Sequence, residues 1–164
     1  MQRFKIENFE REHPDVPFPW FVTLSADEAT RLRQGLAVKV GFTRPDDTWA
    51  LLTYLVSLSR TLRGASGDGS GLDLRAILQK ACISPLAHVY INWDDFRTID
   101  RISFADLCCY FDDIWYPGPD DIEIFDDALS WILFIHHYGA VDVAYLDHEI
   151  RLVPMLDGLV PLPR

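Results

Sequence analysis

Three apolar runs in the second half of the chain constrain its fold more than any other feature. They are DIEIF (Asp121–Phe125), LSWILFIHH (Leu129–His137) and AVDVAYL (Ala140–Leu146), joined by the links DDA and YG. Links this short only allow each strand to double back on the last, because a parallel return needs a crossover of a dozen residues or more. The middle run is apolar at successive positions, so it is expected to be covered on both faces. A further run, IRLVP (Ile150–Pro154), is expected as a fourth strand after the link DHE. The expected class is α+β: a C-terminal antiparallel meander with helices packed on one side.

Upstream, RFKIENF (Arg3–Phe9) alternates as a short strand, and Pro14, Pro17 and Pro19 then impose an extended path. SADEATRLRQG predicts a helix capped by Ser25 and stopped by Gly35, with LAVKVGF (Leu36–Phe42) as the strand after it. RPDDTWALLTYLVSLSRTLRG predicts the longest helix, with Trp49, Leu52, Leu55, Val56 and Leu62 inward and Gly64 as its stop. Residues 64–71 hold four glycines in eight and are expected to form a mobile loop. LDLRAILQKA then predicts a second helix, HVYINWDDF a strand, and SFADLCCYFDDIW a serine-capped helix broken by YPGP. At 164 residues the whole chain, 1–164, is expected to form a single domain with an extended C-terminal tail over 154–164.

Charge is divided unevenly. Residues 1–82 hold ten acids against eleven Lys/Arg, whereas residues 83–164 hold fifteen against four. Phosphates are repelled by such a C-terminal half, so nucleic acid is not an expected partner and a basic protein is. No apolar run approaches the roughly 20 residues of a membrane helix, and the N-terminus lacks the apolar stretch of a secretory signal. Cys82, Cys108 and Cys109 build no even disulfide framework. A cytoplasmic, reduced protein away from membranes is expected.

No established catalytic motif is present: no Gly-x-Ser-x-Gly elbow, no phosphate loop ending in Gly-Lys-Ser/Thr and no His-Glu-x-x-His. No segment has the ligand spacing of a calcium loop or a zinc site, and adjacent His136 and His137 on a strand point to opposite faces. No cofactor, metal or catalytic residue is therefore assigned. What stands out is five Asp-Asp pairs, three of them at Asp112/Asp113, Asp120/Asp121 and Asp126/Asp127, interleaved with aromatics. Paired aspartates often mark only turns, but turn chemistry does not account for so few countercharges. Trp115 and Tyr116 lie at the Pro/Gly break, where a ring is less readily enclosed. The expected partner-binding set is Asp94, Asp95, Asp112, Asp113, Trp115, Tyr116, Asp120, Asp121 and Glu123. In it, acids steer a basic partner and aromatics contribute contact area and cation–π attraction.

In size, acidity and the run WYPGPDDIEIFDDALSWILFIHHYGAVDVAYL, the chain resembles the small acidic immunity proteins that bacteria pair with toxins. The resemblance covers about a third of the chain and carries over no binding residues. It implies a non-enzymatic cytoplasmic protein that covers a toxin's active site. Two alternatives remain: a small hydrolase using the same carboxylates for acid/base or divalent-metal chemistry, and a structural domain whose charge serves solubility.

Overall fold

Local chemistry sets the helix boundaries. A computed structural model describes residues 1–66 and 71–147. Helix α2 (Ala26–Val40) opens on a reciprocal cap: the Ser25 hydroxyl accepts from the Glu28 amide, and the Glu28 carboxylate accepts from the Ser25 amide at 2.8 Å. Ser25→Ala is expected to cost about 1 kcal/mol in a urea unfolding titration; an unchanged midpoint would show that the cap contributes nothing. Asp47, Asp73 and Ser103 cap α3 (Thr48–Ser57), α4 (Leu74–Lys80) and α5 (Phe104–Cys109), each by accepting from a backbone N–H three residues on. Helix α6 (Phe111–Ile114) follows directly.

Five expectations in the first half fail. Residues 3–9, expected as a strand, lie within helix α1 (Arg3–Glu12), whose two buried side chains are Lys5 and Phe9. Their i,i+4 spacing is helical, but a buried lysine does not register as apolar in a pattern. Gly35 does not stop α2. It sits where the helix passes so close to Leu129 that a Cβ would fall 2.8 Å from Cδ1. The helix continues to Gly41, which takes the left-handed φ of +70° that ends it. Residues 36–40, expected as a strand, are its last turns: Leu36, Ala37 and Val40 are buried and Val38 is exposed. Helix α3 stops at Ser57, well before Gly64, and strand β2 (Arg60–Ser66) occupies the rest. Trp49, expected inward, is 68% exposed, while Leu51 and Leu55 are wholly buried.

Among the described residues the sheet has seven strands, all paired antiparallel: β1 (Phe21–Thr23), β2, β3 (His88–Asn92), β4 (Ile99–Ser103), β5 (Ile122–Phe125), β6 (Trp131–Ile135) and β7 (Ala140–Tyr145). Their spatial order is β1-β4-β3-β5-β6-β7-β2. The three runs expected as a meander are β5, β6 and β7, side by side. Strand β4 was not foreseen, because RTIDRIS carries three charges. The place beside β7 is taken by β2. Residues 150–154, expected as a fourth meander strand, lie outside the described residues, as do 67–70 of the glycine-rich loop and the 154–164 tail.

The α+β class and the antiparallel meander are as expected. The helices, expected on one side, cover both faces. Leu133 and Ile135 of β6 join one core with Val141 and Val143 of β7 and with α4, α5 and α6. Ile132 and Phe134, pointing the other way, join a second core with α2 and α3. A strand apolar at every position requires this, because each face must be kept from water.

Candidate functional site

Antiparallel register brings three loops to one end of the sheet: 93–98 between β3 and β4, 115–121 before β5, and 136–139 between β6 and β7. The second and third are joined by hydrogen bonds. The Gly118 N–H donates to the His137 carbonyl at 2.7 Å, and the His137 N–H donates to an Asp121 carboxylate oxygen at 2.8 Å.

The centre of this end is a lysine contributed by α1. Lys5 is completely buried. Its ammonium donates to the Ile114 carbonyl at 2.6 Å and pairs with the Asp120 carboxylate. Three rings surround it, with centroids 4.4 Å (Tyr116), 5.0 Å (Trp93) and 5.5 Å (Phe4) from Nζ. Burial lowers the Lys5 pKa, and the hydrogen bond and charge of Asp120 oppose that. Asp120 also accepts from the Tyr116 amide at 2.8 Å, and its carbonyl accepts from the Trp115 indole at 2.9 Å. Beside this cluster, Asp100 accepts from Thr23 at 2.6 Å and from the Trp93 indole at 2.8 Å, and it pairs with the Met1 amino group.

Another buried carboxylate, Glu123, lies on the opposite face of the sheet. Glu123 of β5 is directly across from Asn92 of β3, whose side-chain amide donates to it at 2.5 Å. The Asn92 carbonyl oxygen accepts from the Phe96 amide at 2.8 Å, holding a loop in which Asp95 and Phe96 both have positive φ (+42° and +64°). Burial pushes the Glu123 pKa up to about 7, the Asn92 hydrogen bond opposes this, and the charges of Asp95 and Asp121 add to it. Further along, His136 Nε2 lies 3.0 Å from an Asp142 oxygen, and His137 Nδ1 lies 3.1 Å from Asp121.

The nine residues expected to bind a partner therefore separate. Asp94 and Asp121 are exposed at this end, with Asp95 and Tyr116 half-buried beside them. Trp115, Asp120 and Glu123 are interior. The Pro/Gly break does not leave Trp115 open: its ring stacks on Phe111, 5.9 Å between centroids, and its N–H is used by the backbone. Asp112 and Asp113 sit apart on α6. Asp113 faces His13 at 3.3 Å, and Asp112 lies against Gly71, whose Cβ, were there one, would fall 2.8 Å from its carboxylate. Sequence reasoning missed Phe4 and Tyr138, which are 44% and 67% exposed. The YG turn could have flagged Tyr138. Nothing local flags Phe4.

The front half of the chain cancels only part of the acidity behind it. Among the described residues, Lys5, Lys39, the Met1 amine and His13 meet Asp120, Asp147, Asp100 and Asp113. The paired arginines of the front half, Arg3, Arg11, Arg33 and Arg44, all meet front-half acids. Among the described residues, Asp95 and Asp121 have no Lys or Arg within ion-pair distance, and Asp94 has Arg97 at 3.8 Å.

Burial pushes the Cys108 thiol up to about 11, which keeps it protonated and inert near neutrality. Among the described residues, no three His, Cys, Asp or Glu side chains are grouped to hold a metal ion, and no helix is long and apolar enough to cross a membrane. No family model matches the chain, and comparison with curated proteins and with solved structures finds no match.

Proposed function

We propose that the acidic end of the sheet is a docking face for a basic protein, and that the chain acts by binding, as an immunity protein that covers a toxin. The observation that supports this is the local charge balance. The three loops carry Asp94, Asp95, Asp120 and Asp121 against one arginine, Arg97, which pairs loosely with Asp94 at 3.8 Å, and Asp120 is neutralised by buried Lys5, so that among the described residues Asp95 and Asp121 keep no Lys or Arg counter-ion. Exposed Phe4 and Tyr138 and half-buried Tyr116 lie among these acids and offer aromatic contact to lysine and arginine side chains. The buried Lys5–Asp120 pair makes the platform rigid, so little ordering has to accompany docking.

The test uses the most basic protein encoded beside this gene as the binding partner, at low and high salt. Asp94→Lys combined with Asp121→Asn is expected to weaken binding roughly ten-fold or more and to flatten its salt dependence. Asp121→Asn keeps an acceptor for the His137 amide, so the turn survives. Affinity that ignores both salt and these substitutions overturns the proposal. Asp120 is unsuitable for this purpose, because its replacement strands Lys5 in the interior.

A further inference from the structure

The molecule also has a cleft of the opposite character. It lies between the first half of α2 and the sheet, with a volume of about 370 Å³. Arg101 of β4 is directly across from Tyr90 of β3. Helix α2 brings Arg31 and Leu32 over this pair, and Leu24 closes the cleft beside them. In a chain of net charge −10, neither Arg31 nor Arg101 has a carboxylate within 4 Å among the described residues.

Two acids also line the cleft, and both are engaged by neighbouring hydroxyls. Glu28 accepts from the Ser25 hydroxyl at 2.6 Å and from its amide at 2.8 Å. Asp127 accepts from the Tyr90 hydroxyl at 2.5 Å. The Arg101 guanidinium lies beside the same Tyr90 hydroxyl. The guanidiniums thus keep donors that no carboxylate among the described residues takes up. Leu24 and Leu32 contribute an apolar wall. The residual negative charge of Glu28 and Asp127 disfavours a polyanion. Two guanidiniums from separate elements, an apolar wall and a bar to high negative charge together define a ligand class.

We infer that the cleft between α2 and strands β3 and β4 binds a small carboxylate with a short apolar tail, anchored by Arg31 and Arg101. This is independent of the acidic end: it concerns another part of the sheet and a ligand of opposite charge. The probe is 4-methylpentanoate at low-millimolar concentration, followed by NMR shifts of the Tyr90 ring and by calorimetry on the full chain. Saturable binding is expected. Arg101→Gln and Arg31→Gln are each expected to weaken it roughly ten-fold or more, with unchanged thermal unfolding as the control for folding.

Three outcomes overturn the assignment: no saturable shift, unaltered affinity in both glutamine variants, or equal binding of 3-methylbutylamine, which keeps the tail and reverses the charge. Equal binding of inorganic phosphate overturns the carboxylate preference and leaves only general attraction to anions. If Arg101→Gln proves unstable, Arg31→Gln on the exposed side of the cleft decides alone.

Discussion

Replacing Lys5 by alanine is expected to destabilise the protein by about 3–5 kcal/mol, because it leaves the Asp120 carboxylate buried without its counter-ion. Asp120 is 4% exposed and cannot rotate to water without giving up the Tyr116 amide. Lys5→Met tests the charge with less change in volume. The ring cage would accept the thioether, so the packing part of the loss should shrink and the electrostatic part remain. Adding Asp120→Asn to Lys5→Met should restore much of the stability, since the asparagine oxygen still accepts from Tyr116 and no charge stays behind. The double variant should therefore be more stable than Lys5→Met alone, a coupling on the order of 1–3 kcal/mol. Additive losses in chemical denaturation would mean that the two side chains do not act as a pair.

Glu123→Gln is expected to stabilise the protein at pH 8 and to change little at pH 5. The physical cause is the position of Glu123 on a covered sheet face, near Asp95 and Asp121 and with Asn92 as its hydrogen-bond partner. Its pKa is about 7 in the fold against a reference of 4.5. A carboxyl raised on folding binds its proton more tightly in the native state. Below pH 4.5 both states are protonated and nothing is lost. As pH rises from 4.5 to 7 the unfolded chain ionises first, and stability falls. Above 7 the folded protein holds a buried negative charge, and the full cost is present, about 3 kcal/mol for a shift of this size. Glutamine accepts the same hydrogen bond from Asn92 and carries no charge, so the gain should appear across that window and level off above it. A gain of equal size at pH 5 and pH 8 would remove the electrostatic explanation. The same linkage bears on the proposed docking face. A cation bound among Asp94, Asp95 and Asp121 would favour ionised Glu123, so affinity for a basic partner should strengthen as pH rises through neutrality.

How far the site could be foreseen depends on what each residue's neighbours in sequence reveal. Asp120 and Asp121 are adjacent and chemically identical. One is inside against Lys5, and the other is outside against His137. Their difference comes from α1, more than a hundred residues away in sequence, and no local pattern contains it. Trp115 has the same history: the break that follows it suggests exposure, yet Phe111 and Asp120 enclose it. Glu123 alternates with apolar Ile122 and Ile124 as a solvent-facing strand residue would. It is buried because α2 and α3 cover the face that a one-sided sheet would have left open.

The sequence by itself determined the caps at Ser25 and Ser103, the antiparallel meander β5-β6-β7 and the gathering of negative charge in the second half. All of these follow from interactions within a few residues or from a count of charges, so they are readable without knowing what packs on what. Only the tertiary structure decided that α1 is a helix, that both sheet faces are covered, and which carboxylates are neutralised, interior or left facing water. Those outcomes depend on contacts between distant segments. Desolvation and pairing are properties of the folded surroundings, and a residue's identity and near neighbours do not specify them.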